Sequence, residues 1–114
     1  MFDKEITIDR LGYVGSIAID SGQAMVGDPC YLEQWDTNQN DEWNIDGKEG
    51  QYSYHGASAT TIASDYGQLG LGTAVVFSTG YGDGLYPVYV QLNNDGRVSK
   101  VVIDFEGDLQ EENE

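Results

Sequence analysis

The stretch from Leu85 to Phe105 reads LYPVYVQLNNDGRVSKVVIDF, and it decides the fold class. Apolar and polar residues alternate on both sides of Asn93-Asn94-Asp95-Gly96, as they do in two strands that each bury one face. Asn, Asp and Gly favour tight turns, and Gly96 can adopt the left-handed conformation that a bulged hairpin needs. This stretch therefore predicts an antiparallel β-hairpin.

The rest of the chain also favours short strands joined by turns. Tyr13 to Asp20 and Gln23 to Val26 predict two strands, and the Ser21-Gly22 turn between them predicts a hairpin. Gln51 to Tyr54 alternates as a strand does, whereas Ala57 to Ala63 fits either a strand or a short helix. We expect a mainly β fold, a sandwich or small barrel of about six or seven short antiparallel strands with room for one short helix.

Length and charge distribution set the expected domain boundaries. The chain has 114 residues, which is the size of one ordinary domain. Six acids and no base lie between Asp104 and Glu114, whereas residues 50–96 hold three acids and no Lys or Arg. We expect residues 1–105 to form a single β domain and residues 106–114 to form an acidic, disordered tail.

The acidic charge restricts the classes of partner. Twenty acidic and five basic residues give a formal net charge of −15. Such a field repels phosphate backbones and anionic lipid surfaces, so we expect no direct binding to nucleic acid or to a membrane. The charge either keeps the protein soluble or steers it to a basic protein partner.

Cysteine usage and the N-terminus indicate a cytoplasmic protein. Cys30 is the only cysteine, so an internal disulfide is excluded. The first residues, Met1 to Glu5, carry acids where a signal peptide has positive charge, and no apolar run approaches the ~18 residues of a membrane span.

A glycine-rich stretch, Gly80 to Pro87, is the first candidate site. Its successive amides can form an anion-binding nest, which together with Asp83 would hold a small polar ligand. The other interpretation is a wide strand connection in which Asp83 bonds its own loop. The stretch lacks the Lys-Ser/Thr pair and the helix of a phosphate-binding loop.

A carboxylate beside a proline marks the second candidate, Gly27 to Tyr31. Asp28 either contacts a ligand or caps its own turn, as Asp commonly does. Cys30 would act as a nucleophile only with a base to activate it, and His55 is the only histidine in the chain.

The segment from Glu33 to Gly50 is polar, long and without periodicity. It holds Trp35 and Trp43, which either pin the segment to the core or form a contact surface. The ligand or partner contacts that we expect from all three segments are Gly80, Tyr81, Gly82, Asp83, Gly84, Tyr86, Asp28, Tyr31, Trp35 and Trp43.

Part of the same segment, Asp36 to Glu42, is similar to the start of a calcium-binding loop. Asp41 stands where the loop glycine belongs, and Gly47 stands where the bidentate glutamate belongs. We therefore expect a solvated acidic loop and no metal. One Cys and one His do not make an ordinary zinc site, and we expect no cofactor.

Five segments resemble an uncharacterised family of small bacterial and bacteriophage proteins. Ala74 to Tyr89 contains its G-[YW]-G-D-G-x-Y-P motif, Asn94 to Val98 and Val102 to Phe105 follow, and Asp20 to Gln23 with Gly27 to Tyr31 match its N-terminal signature. The resemblance implies an intact small domain and a phage origin, which would place the protein in the host cytoplasm. It assigns no activity and no catalytic residue.

Three functions are consistent with these features. We expect a non-catalytic acidic binding protein, a phage-type accessory or inhibitor protein that acts on a host protein or sequesters a small signal molecule. The first alternative is a DNA mimic that inhibits a nucleic-acid-binding protein, which predicts carboxylates in regular rows. The second is a small hydrolase that uses Asp83 or Asp28 together with His55.

Overall fold

The computed structural model describes residues 10–37 and 43–109, and these residues contain six strands, one α-helix and one 3₁₀ helix. The elements are β1 (Leu11–Ile19), β2 (Gln23–Gly27), the 3₁₀ helix (Pro29–Gln34), α1 (Tyr54–Ser64), β3 (Tyr66–Leu69), β4 (Ala74–Ser78), β5 (Gly84–Leu92) and β6 (Val98–Ile103). The strands form two three-stranded antiparallel sheets, in the orders β1-β5-β6 and β2-β4-β3. The predicted mainly β class with one short helix is confirmed, and neither sheet closes into a barrel in the described residues.

The chain divides into two compact units. The first unit comprises residues 1–20 and 83–114 and contains β1, β5 and β6, while the second comprises residues 21–82 and contains the remaining elements. The predicted boundary between a domain at 1–105 and a tail at 106–114 stays a prediction. In the described part of both units, no helix has the length and apolarity needed to cross a membrane.

The central strand of the first unit is β5, which pairs with β1 on one side and β6 on the other. The β5–β6 pair is the hairpin that the sequence predicts, with an irregular register between Gln91 and Leu92. The N–H of Asn93 donates to the carbonyl of Arg97 at 2.8 Å, and Gly96 has a φ of +78°. The left-handed glycine of this turn is thus confirmed.

Edge-to-face aromatic pairs pack within the first unit. The ring centroids of Tyr86 and Phe105 are 5.1 Å apart, and those of Tyr13 and Tyr89 are 6.0 Å apart. Tyr86 and Tyr89 are both buried. Pairs of this geometry contribute about 0.5–1.5 kcal/mol each beyond the burial of their area.

Asp104 orders the chain that follows β6. Its carboxylate accepts hydrogen bonds from the N–H groups of Glu106, Gly107 and Leu109 at 3.0, 2.9 and 2.9 Å. Donation from the backbone, first of all from Leu109, lowers the pKa of Asp104 against the opposing effect of desolvation. The hydroxyl of Tyr89 also donates to the carbonyl of Leu109. The start of the predicted tail is therefore hydrogen-bonded to the sheet.

The predicted hairpin between the first two strands is wrong, because β1 and β2 belong to different sheets. Both strands instead find ladder partners later in the chain, because β1 pairs with β5 along Leu11–Ile19 and β2 pairs with β4 along Gln23–Gly27. These ladders satisfy the backbone groups that a β1–β2 hairpin would have paired. At the predicted Ser21-Gly22 turn, the carbonyl of Gly22 accepts from the N–H of Thr79 at 2.9 Å.

The second unit packs α1 against the sheet β2-β4-β3. Its core consists of small and medium side chains, with Met25, Trp35 and Tyr52 packed against it. The buried core residues are Ala57, Leu69, Ala74 and Val76.

The helix begins where the sequence indicates a strand. Ser53 is the N-cap of α1, because its hydroxyl accepts from the N–H of Gly56 at 2.9 Å. The predicted strand at Gln51 to Tyr54 is therefore wrong, and Ser53 forms only an isolated bridge with Asp36. The ambiguous segment Ala57 to Ala63 is helical.

Two glycines allow close packing around α1. A Cβ on Gly67 of β3 would lie 2.5 Å from the methyl group of Thr60, and a Cβ on Gly56 would overlap the carbonyl oxygen of Gln51. The hydroxyl of Thr60 accepts from the N–H of Gly50 and donates to the carbonyl of Gly56, both at 2.8 Å. Thr60 thus joins the helix to both the preceding loop and the sheet.

Candidate functional site

The glycine-rich loop uses its own side chains to bond its backbone. The N–H of Gly80 donates to the hydroxyl of Ser78 at 3.2 Å, and the N–H of Tyr81 donates to the hydroxyl of Thr79 at 3.1 Å. The Thr79 hydroxyl donates in turn to the carbonyl of Gly82 at 2.8 Å. Gly80 and Gly82 both have positive φ angles. Two amides of the predicted nest therefore have internal partners, which favours the interpretation as a strand connection.

The remaining residues of that motif belong to the first unit. Gly84 begins β5 and pairs with Ile19, and Asp83 is exposed directly before it. Tyr86 is buried against Phe105. Tyr86 thus has a packing role, and its predicted contact with a ligand stays a prediction.

Asp28 is the N-cap of the 3₁₀ helix. Its Oδ1 accepts from the N–H of Cys30 at 2.9 Å, which is the capping role that the sequence offered as one alternative. Cys30 is exposed, and the pKa of its thiol is raised, first by desolvation and then by the charge and hydrogen bond of Asp28. A raised pKa leaves less thiolate at neutral pH, which is unfavourable for a nucleophile.

An open cleft of about 380 Å³, which we call the polar cleft, lies in the second unit. It is formed by the 3₁₀ helix, the segment before α1 and the turn between β3 and β4. Its lining residues are all uncharged: Tyr31, Gln34, Tyr52, Gly70, Leu71, Gly72 and Thr73. The N–H of Gly70 donates to the carbonyl of Gly50 at 2.7 Å, which holds the turn against the segment before α1.

A second open cleft of about 180 Å³, the apolar cleft, lies in the same unit and shares no lining residue with the polar cleft. It borders the core of the second unit, because the core residues Ala57 and Val76 line it. Its lining residues are Ser21, Gln23, Ala24, Met25, Trp35, Tyr54, Ala57 and Val76. The side-chain amide of Gln23 donates to the hydroxyl of Ser58 at 3.0 Å and accepts from the hydroxyl of Thr61 at 2.9 Å. Its polar atoms are thus engaged with α1, which leaves the cleft mainly apolar.

One aromatic contact joins the walls of the two clefts. The rings of Trp35 and Tyr52 meet edge to face, with centroids 5.0 Å apart. Trp35 lines the apolar cleft and Tyr52 lines the polar cleft. A shift of either ring would therefore change both clefts.

The ring of the second tryptophan, Trp43, packs against the first residues of α1. Trp43 is 56% exposed, and its ring contacts those of His55 at 4.9 Å and Tyr54 at 5.8 Å between centroids. The two tryptophans thus realise both alternatives that the sequence offered, because Trp35 packs against the core and Trp43 offers a surface.

A family model described as Protein of unknown function (DUF4241) matches residues 8–103. The chain belongs to this family. The prediction that the chain belongs to an uncharacterised family is therefore confirmed. No curated protein and no solved structure matches it.

The predicted site residues of this DUF4241 protein are spread over both units. Tyr31 and Trp35 line the two clefts, while Asp28 caps a turn nearby in the chain. The sequence missed Tyr52 and Tyr54, which line one cleft each. The signal for Tyr54 was available, because Ser53 followed by a helix-compatible segment is an N-cap pattern.

Clusters of metal-ligating side chains are absent from the described residues. In residues 10–37 and 43–109 of the DUF4241 chain, no three His, Cys, Asp or Glu side chains form a group that could hold a metal ion. The predicted acidic loop at Asp36 to Glu42 falls mostly on residues 38–42, which lie outside the described residues. At its start, the N–H of Asp36 donates to the carbonyl of Tyr52 at 3.0 Å.

Proposed function

We propose that this chain is a non-catalytic acidic binding protein that acts on a basic protein partner through the apolar cleft. The observation that carries the proposal is the lining of that cleft. Trp35 and Tyr54 border an apolar recess whose one amide side chain, Gln23, is engaged with α1. Aromatic residues of this kind are enriched at the energetic centres of protein interfaces.

The net charge supports a basic partner. A formal charge of −15 attracts cationic proteins over long range and accelerates their association. Charge alone gives little specificity, so an apolar recess is needed to select one partner among many. At about 180 Å³ the apolar cleft lies below the ~300–1,000 Å³ of small-molecule pockets, and it suits one side chain of a protein.

Of the side chains in the hydrolase alternative, Asp28 and His55 have capping or packing contacts that favour binding over hydrolysis. Asp28 caps the 3₁₀ helix, and its carboxylate helps to raise the pKa of Cys30. The ring of His55 packs against Trp43 and Tyr54. Asp28 and His55 therefore have a structural role in capping and packing.

The proposed phage-type role is based on the sequence. The similarity of Gly80 to Pro87 to a motif of bacterial and bacteriophage proteins supports a phage origin, and the acidic charge of a small chain supports, by analogy, an accessory or inhibitor role in the host cytoplasm. Under this proposal, the partner would be a host protein with a basic surface and a protruding apolar side chain.

Two synthetic peptides test the proposal. One is a lysine-rich peptide with a single central leucine, and the other has serine in place of the leucine, so that their charges are equal. We expect the leucine peptide to bind about tenfold more tightly, because the cleft buries part of its side chain. Isothermal titration calorimetry measures both affinities.

Matched variants locate the binding. Tyr54→Ala should remove the preference for leucine, whereas Tyr66→Ala, at a tyrosine that is 72% exposed and outside both clefts, should keep it. Equal affinity for the two peptides would contradict the proposal and favour the DNA mimic, which needs charge alone. Absence of binding by either peptide would reject both.

A further inference from the structure

The polar cleft and the apolar cleft differ in the hydrogen bonds that their lining side chains make to the protein. Within the described part of the chain, the side-chain oxygen and nitrogen atoms of Tyr31, Gln34, Tyr52 and Thr73 make no hydrogen bond to protein. In the apolar cleft, by contrast, both ends of the Gln23 amide are engaged. Four side chains that can donate and accept therefore line the polar cleft without a hydrogen-bond partner among residues 10–37 and 43–109.

We propose that the polar cleft binds a small, neutral, polyhydroxylated ligand of the size of one sugar ring. A volume of about 380 Å³ lies within the ~300–1,000 Å³ range of small-molecule sites. Each hydroxyl of such a ligand both donates and accepts, which matches the Tyr and Thr hydroxyls and the Gln amide. The rings of Tyr31 and Tyr52 offer apolar surface to the C–H groups of the ligand.

Charge selects against other ligand classes. The cleft is lined by neither Lys nor Arg, and the net charge of −15 opposes the approach of an anion. It is also lined by neither Asp nor Glu, which an organic cation would use as a partner. A neutral ligand needs no charged partner, so this uncharged lining suits it best.

The turn between β3 and β4 provides a wall that admits close contact. Gly70 and Gly72 have φ angles of +66° and +91°, which side chains rarely adopt. A Cβ on Gly70 would overlap the hydroxyl of Thr73, so glycine keeps this hydroxyl accessible. Glycine at these positions lets a ligand reach the backbone of the turn.

Amide NMR titrations with separate probes test this inference. Glucose, galactose and N-acetylglucosamine are the sugar probes, and tetramethylammonium and inorganic phosphate represent the other classes. We expect at least one sugar to produce saturable shifts at residues 70–73, with a dissociation constant in the millimolar range, and we expect neither ion to do so. Absence of saturable shifts for all three sugars, or equal shifts with either ion, would overturn the inference.

Variants of exposed residues keep the test independent of folding. Gln34→Ala should weaken sugar binding about five- to tenfold, because one hydrogen-bonding side chain is lost. Tyr66→Phe removes a hydroxyl outside the cleft and should leave the affinity unchanged. Unchanged affinity in Gln34→Ala would contradict the site. Gln34 lines only the polar cleft and Tyr54 lines only the apolar cleft, and neither variant alters the Trp35–Tyr52 contact between them, so a failure of the sugar test is distinguishable from a failure of the peptide test.

Discussion

The two units of the chain differ in the side chains that fill their cores. In the first unit, buried aromatic residues such as Tyr86 and Tyr89 meet other rings edge to face on the sheet β1-β5-β6. In the second unit, the core consists of alanines, Leu69 and Val76, and glycines let a helix approach the sheet. Large side chains fill the buried space in the first unit, whereas small residues at α1 and β3 permit close contact in the second.

This difference predicts opposite tolerance to added volume. An interior that packs by close backbone approach has no room for a further methyl group. The largest effect is expected at Gly56, where an added Cβ would meet a main-chain oxygen, that of Gln51. Main-chain atoms cannot move aside as the end of a side chain can.

Gly56→Ala should therefore lower the free energy of unfolding by about 3 kcal/mol or more. The matched control is Gly84→Ala in the first unit, where the nearest atom to the new Cβ would lie at 3.6 Å, an ordinary contact with the ring of Tyr86. Urea unfolding followed by circular dichroism measures both variants. Similar losses in the two variants would contradict the contrast between the units.

Gly67→Ala is the second test, because its Cβ would lie 2.5 Å from the methyl group of Thr60. We expect a loss of about 1–3 kcal/mol. Thr60→Ser removes that methyl group and keeps the hydroxyl that bonds Gly50 and Gly56. The double variant should therefore recover part of the loss in the same urea assay. If Thr60→Ser gives no recovery, the contact between helix and strand is not the cause.

The same contrast explains what could be predicted from the sequence. The β5–β6 hairpin is visible because its side chains alternate and its turn is rich in Asn, Asp and Gly. The helix α1 is ambiguous in the sequence, where Ala57 to Ala63 fits a strand as well as a helix, because six consecutive residues, His55 to Thr60, are buried and leave no helical periodicity. Small residues that pack on all sides carry no pattern of hydrophobicity.

The candidate site was predictable only in part, for a related reason. Tyr31 and Trp35 attract attention because they are aromatic and lie near a rigid turn. The other walls of the polar cleft come from Tyr52 and from the turn at residues 70–73, which the bond from Gly70 to Gly50 brings together. Such long-range pairing is not encoded in local spacing.

Each unit also contains an aspartate that caps a turn, and Asp104 has the larger expected effect on stability. Its two oxygens accept three backbone N–H groups. Asp104→Asn would place an amide group against one of these donors, so we expect a lower stability at neutral pH, with a loss smaller than that of Gly67→Ala. Urea unfolding at several pH values measures it.

The pH dependence of that loss has a defined sign. Because the pKa of Asp104 is lowered from its ordinary value of 3.8, its contribution to stability is present above that value. The contribution is lost as pH falls through the lower pKa of the folded state. The difference between the wild type and Asp104→Asn should therefore shrink below about pH 4. A difference that is independent of pH would show that the charge is not involved.

The smallest effect on stability is expected at Asp28, whose carboxylate accepts a backbone hydrogen bond from Cys30, in contrast to the three that Asp104 accepts. Asp28→Asn keeps an oxygen that can accept from the N–H of Cys30, so the 3₁₀ helix should remain. It removes the negative charge that helps to raise the pKa of the Cys30 thiol, so more thiolate should be present at pH 7. Alkylation of Cys30 by iodoacetamide should therefore be faster in the variant, and its pH profile should move to lower pH. An unchanged profile would show that desolvation alone raises the pKa, and the two capping aspartates would then differ only in the number of amides that they hold.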